Sequence, residues 1–184
     1  MLNAANTITV VRILLIPVFI VVLFSRLPHG DILAAAVFTI AALTDKLDGY
    51  VARAQNQVTA LGQFLDPFAD KLLVSAALIA LVELDRLPSW VAMVIIAREL
   101  AVSVLRLVGV AQGVAIPADR LGKLKTVSQI AAVLFLLVPH YRLPHYTAVE
   151  YVLIYTAVIL TVVSGLQYFI SARDRLRVPG GTPR

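Results

Sequence analysis

Four aspartates carry the strongest chemical signal in this chain. Asp45 and Asp48 stand three residues apart, and Asp66 and Asp70 stand four apart. On a helix these spacings separate side chains by about 60° and about 40°, so each pair shares one face. A short connection between the two acidic segments makes their helices antiparallel neighbours, and the pairs can then confront each other. Four carboxylates aimed at one spot in an apolar setting repel one another and are costly to desolvate. Either some are protonated, or cations lie among them. Donors that are all oxygen suit Mg²⁺ or Mn²⁺ rather than zinc. Two divalent ions about 4 Å apart are what four shared carboxylates can hold, and such ions recruit phosphate. Gly49 and Gly62 remove side chains beside the carboxylates, and Arg53 supplies a fixed positive charge suited to a diphosphate. The plainer reading is that the aspartates cap helices or pair with Lys46, Lys71 and Arg53. It suits a single Asp at a helix end better than four at matched spacing.

The elements that must hold these residues are strongly apolar. Of 184 residues, 60% are hydrophobic and 15% charged. Soluble domains run nearer one half apolar and one quarter charged. A chain of this length cannot hide so much apolar surface in its own interior. Apolar segments cover 8–24, 32–54, 61–82, 90–111, 126–138 and 151–170. Six membrane helices of about 20 residues need about 120 residues. The expectation is an all-α integral membrane protein of six transmembrane helices with a cytoplasm-facing polar cavity. Its single catalytic domain is expected over 1–177, followed by a Pro- and Gly-containing tail at 178–184 expected to be disordered. The first segment reads as a membrane helix, not a cleaved leader: no Lys or Arg precedes it, Arg12 lies inside it, and no small-x-small site follows.

There is no cysteine, so disulfides, thiolate metal sites and cysteine nucleophiles are excluded. The net charge is +5, but the basic residues sit mostly at the ends of apolar runs. That pattern points to membrane orientation and anionic lipid, and no nucleic-acid partner is expected. With both termini in the cytoplasm, Arg53, Arg120, Lys123, Lys125, Arg173, Arg175, Arg177 and Arg184 lie inside, against Arg26, Arg86 and Arg142 outside. Eight against three favours that orientation in a cell (inner or plasma) membrane. His29, His140 and His145 then fall outside, away from the aspartates.

Other charges interrupt the apolar segments. Arg98 and Arg106 lie two turns apart, about 80° around a helix, and Glu99 can neutralise one of them. A structural ion pair between helices is the plainer reading. Arg106, nearer the cytoplasmic end, is the better phosphate ligand. Lys123 and Lys125 are expected just ahead of the fifth helix, as phosphate ligands or as inner-surface anchors. Arg173, Arg175 and Arg177 read as anchors, Trp90 as an interface aromatic, and Pro17 as a kink.

The stretch from Asp45 to Asp70 fits D-x2-D-G-x2-A-R-x8-G-x3-D-x3-D at every fixed position. It resembles the signature of the CDP-alcohol phosphatidyltransferase family. Asn6, Thr9 and Arg12 resemble that family's N-terminal entry. The run from Leu65 to Leu72, Arg98-Glu99 with Arg106, and Gly122 to Thr126 with Gln129 resemble its bacterial branch acting on glycerol 3-phosphate. The likeness covers about 3–130, and the last helix adds little beyond hydrophobicity. The resemblance implies that Asp45, Asp48 and Asp66 hold one Mg²⁺ or Mn²⁺ ion and that Asp45, Asp66 and Asp70 hold a second. It makes Asp70 the general base. Asn6, Thr9, Gly49, Ala52, Arg53, Thr59 and Gly62 would bind the CDP-lipid, CDP-diacylglycerol, while Arg106, Lys123 and Lys125 take the acceptor's phosphate. It also implies a homodimer. Within the family, cardiolipin synthase and phosphatidylinositol phosphate synthase, which use other acceptors, remain alternatives. A divalent-cation or proton-coupled transporter is the rival from another class, since intramembrane carboxylates also mark ion paths. Against it, the aspartates group toward one surface and no inverted repeat is visible.

Overall fold

The computed structural model describes residues 4–25, 27–54, 60–114, 120–138 and 146–176. Within its helices, only the backbone is described for 4–8, 45–54, 60–67, 70, 120, 146–147, 174 and 176. The expected tail at 178–184 therefore lies outside the described residues.

Among the described residues six helices follow one another: α1 (Ala4–Phe24), α2 (Gly30–Ala54), α3 (Ala60–Glu83), α4 (Ser89–Ala111), α5 (Arg120–Leu137) and α6 (Tyr146–Leu176). No strand occurs among the described residues. The all-helical expectation holds among the described residues, with the largest changes of boundary in α5 and α6. α5 begins at Arg120, so Lys123 and Lys125 lie within its first two turns and not ahead of it. α6 runs for 31 residues, well beyond the 151–170 expected. Among the described residues one stretch, Ala148–Arg173, is long and apolar enough to cross a membrane by length and composition, with a mean hydropathy of 1.9. Thr9–Phe24 and Gly30–Thr44 are shorter apolar stretches.

The helix ends have local causes. α3 closes with Asp85 in the left-handed region (φ 54°), the Arg86 amide donating to the Leu81 carbonyl at 2.9 Å and the Asp85 amide to Val82 at 3.0 Å. This is a Schellman closure with Asp where Gly is usual. α4 ends the same way on Gly113 (φ 71°), with the Val114 amide bonded to Gly109 at 2.8 Å. The α1–α2 turn uses Pro28 and His29 (φ 63°). Gly30 opens α2 where a Cβ would stand 3.2 Å from the Val22 carbonyl oxygen, so the close approach needs glycine.

The chain forms two compact units. The first comprises 1–88 with 133–143. In it α1 packs on α2 and α3, and α2 packs on α3. Phe19 and Phe38 are fully buried, their ring centroids 5.9 Å apart at a tilted 52°. Ala34, Ala41, Ala69 and Ala77 are also buried. Such small side chains let helix backbones approach closely, the packing that holds helices together where water supplies no driving force. Arg86 pins the ends of three elements. Its guanidinium pairs with Asp31 at 3.1 Å and donates to the Leu137 carbonyl at 3.0 Å. The second unit comprises 89–132 with 144–184, and in it α4 packs on α6. Trp90 and Tyr155 meet there with centroids 6.4 Å apart.

Candidate active site

Within the first unit the aspartate motif occupies the end of α2 and the start of α3. Asp45, Asp48, Gly49, Ala52 and Arg53 fall on the last three turns of α2, and Gly62, Asp66 and Asp70 on the first three turns of α3. Both stretches are helical, so the three- and four-residue spacings do put each aspartate pair on one helix face. The two helices are joined by a five-residue connection, 55–59, and pack against each other. The side chains of these residues, and that of Asn6, lie outside the described residues, as does Thr59 altogether. Thr9 and Arg12, one helical turn apart on α1, are both fully buried. The Arg12 Nε donates to Thr44 Oγ1 at 3.4 Å, immediately ahead of Asp45. A fully buried guanidinium needs partners to offset its desolvation, and here one partner stands on the residue before the acidic motif.

The second unit holds a different polar cluster, built on α4, α5 and α6. Glu99 Oε1 accepts from Arg98 Nη1 at 3.2 Å and also from Lys125 Nζ. Arg98 Nη2 donates to Ser164 Oγ at 3.1 Å. One turn along α5, Gln129 Nε2 donates to Thr161 Oγ1 at 2.9 Å. Lys125 is 5% exposed and Gln129 3%, so the cluster is a buried network and not a surface pair. Buried ion pairs persist where geometry and additional hydrogen bonds compensate desolvation. Arg98 Nε, buried, finds no partner among the described residues, and neither does the Tyr168 hydroxyl. Each such orphan costs about 1–3 kcal/mol unless something supplies a bond.

Of the three residues expected to hold the acceptor's phosphate, only Lys125 belongs to this network. Lys123 is on the exposed side of α5. Arg106 is exposed, its guanidinium carbon 5.9 Å from the Tyr168 ring centroid, at the outer limit of a cation–π contact. Sequence reasoning missed the contribution of α6: Thr161, Ser164, Gly165 and Tyr168. Their signal was a Thr-x2-Ser-Gly-x2-Tyr run at helical spacing inside an apolar segment. Among the described residues no group of three acidic or histidine side chains could hold a metal ion; the side chains of Asp45, Asp48, Asp66 and Asp70 lie outside those residues.

A sequence model of the CDP-alcohol phosphatidyltransferase family matches residues 2–163. The chain belongs to the CDP-alcohol phosphatidyltransferase family. It is 46% identical to the CDP-diacylglycerol–glycerol-3-phosphate 3-phosphatidyltransferase of Bacillus subtilis (strain 168), with 96% of this chain and 98% of that protein aligned. It is 42% identical to a probable phosphatidylglycerophosphate synthase of Mycobacterium tuberculosis (strain H37Rv), over 97% of this chain and 84% of that protein. A third relative, the CDP-diacylglycerol–glycerol-3-phosphate 3-phosphatidyltransferase of Salmonella paratyphi A, is 37% identical over 95% of this chain and 97% of its own length.

Proposed function

We propose that this protein transfers the phosphatidyl group of CDP-diacylglycerol to glycerol 3-phosphate, releasing CMP and forming phosphatidylglycerol phosphate. The observation that carries this is near-full-length similarity, at 46% identity, to a relative with that named activity, joined to an intact aspartate motif. The acceptor's primary hydroxyl oxygen attacks the phosphorus that bears diacylglycerol. The bond from that phosphorus to the oxygen of the CMP phosphate breaks, and CMP leaves with the electron pair. Asp70 takes the hydroxyl proton. With no cysteine in the chain, direct transfer between two bound substrates is simpler than a covalent enzyme intermediate.

Two divalent ions, Mg²⁺ or Mn²⁺, fit the donor set. Asp45, Asp48 and Asp66 would hold one, and Asp45, Asp66 and Asp70 the other, all through oxygen. The helical phase of both segments, which keeps each pair on one face, supports this assignment. When bound, the ions neutralise the diphosphate and the charge that develops on the leaving oxygen. Asn6, Thr9, Gly49, Ala52, Arg53, Thr59 and Gly62 bind the CDP-lipid. Arg106, Lys123 and Lys125 receive the acceptor's phosphate through charge-assisted bonds.

The six helices act as membrane spans with both termini cytoplasmic, in the cell membrane, and the protein works as a homodimer among anionic lipids. Large apolar side chains turned outward support the membrane setting: Val21 is 68% exposed, Met93 65% and Val110 67%. Large apolar side chains exposed in this number are satisfied by lipid or a partner rather than by water. The test is CMP release by purified protein given CDP-diacylglycerol and a panel of acceptors. Glycerol 3-phosphate should be preferred over inositol phosphate, free glycerol and phosphatidylglycerol. Preference for any of these three would overturn the acceptor assignment while leaving the family intact.

A further inference from the structure

Glu99 has no role in the reaction as written, yet it ties α5 to an α4 guanidinium that α6 also holds. One carboxylate oxygen, Oε1, serves both the α4 guanidinium of Arg98 and the α5 ammonium of Lys125. Among these three side chains, positive charges outnumber negative two to one. Glu99 therefore does more than cancel a charge: a single acceptor atom sets the separation of two cations that would otherwise repel. α6 fixes the other edge of the guanidinium. Ser164 Oγ accepts from Arg98 Nη2 at 3.1 Å, and Ser164 is itself tied to the Thr161 carbonyl at 3.2 Å. Gly165 completes the seat, because a Cβ there would lie 3.0 Å from Arg98 Cγ and 3.4 Å from Nε. The guanidinium is thus held on two sides, while its buried Nε keeps a donor with no partner among the described residues. An open donor on a guanidinium that shares one carboxylate oxygen with an ammonium suits an oxyanion with several acceptor oxygens.

We propose that Glu99 is a positioning residue of the acceptor site. By bridging Arg98 and Lys125, with Ser164 holding the far edge of the guanidinium, it keeps both cations at the spacing at which they meet the acceptor's phosphate. Arg98 thereby joins Lys125 as a phosphate ligand. This rests on the reading that the acceptor is a phosphorylated polyol.

Two explanations of Glu99 predict opposite signs. If it only damps the positive potential, Glu99→Gln makes the site more cationic and lowers KM for glycerol 3-phosphate. If it positions, the same isosteric change lets the cations part, and that KM rises by about tenfold or more, the scale of a lost charge-assisted contact. The KM for CDP-diacylglycerol should stay within about twofold, since the expected loss belongs to phosphate contacts alone. A merely structural role would lower the active fraction and leave both KM values alone. Ser164→Ala, a milder change, should move KM for glycerol 3-phosphate in the same direction by a few-fold, and it decides the matter if Glu99→Gln does not fold. Wild-type protein is run with the acceptor panel in the same preparation. If the wild type uses no phosphorylated polyol, the functional reading falls and this inference falls with it. If the wild type uses glycerol 3-phosphate but the variants show an unchanged or lower KM, or equal rises for both substrates, the positioning role alone is overturned.

Discussion

Asp70 and Asp45 differ in what their loss should do, although both belong to the same four carboxylates. Asp70→Asn keeps size and removes the base. Transfer should fall by at least about 10²-fold, a common general-base contribution, with the folded protein recovered in normal yield. Near wild-type turnover in that variant would remove Asp70 from the base role. Arg106 and Lys123 provide a second contrast. Both are exposed and outside the Glu99 network. Replacing Arg106 by Ala should raise KM for glycerol 3-phosphate more than KM for CDP-diacylglycerol. Equal effects on the two would show that Arg106 acts through its contact with Tyr168 rather than through phosphate.

Helix packing decides where side chains stand, and in the α1–α2–α3 group Phe19 and Phe38 are fully buried against each other. Phe38→Ala empties a fully buried position and should cost about 3–5 kcal/mol. A lowered Tm in detergent checks it, and an unchanged Tm would mean that this core is not what aligns α2. The acidic motif, its helical phase and the α2–α3 pairing were legible in the sequence, because Asp is expensive in an apolar segment and its spacing is read directly. The start of α5 was not. Arg120, Lys123 and Lys125 interrupt hydrophobicity at 120–125, yet the backbone is helical there, since Lys and Arg are good helix formers whatever their polarity. The polar face of α6 was also hidden. Thr161 Oγ1 bonds the Ala157 carbonyl at 2.6 Å, four residues back, and Ser164 Oγ bonds Thr161. Hydroxyls satisfied on their own helix do not break an apolar segment, so their partnership with Gln129 and Arg98 leaves no mark on hydropathy. That Glu99 neutralises one of Arg98 and Arg106 is legible in the sequence; that it is Arg98, with Lys125 as a second partner of the same carboxylate, is not.

Across the whole molecule, the account requires a catalytic face on the cytoplasmic side of a membrane. Single cysteines at Gln55 and His145 test it cleanly in a chain that has none of its own. They should label from opposite sides of sealed vesicles, and labelling from one side would refute the orientation. Most direct of all is the fate of labelled glycerol 3-phosphate given to the purified full-length protein with CDP-diacylglycerol. Label should enter the lipid phase in step with CMP release, cease after treatment with EDTA, and resume when Mg²⁺ or Mn²⁺ is added in excess. Undiminished transfer after chelation, or CMP release without label entering lipid, would contradict a metal-dependent transfer to glycerol 3-phosphate.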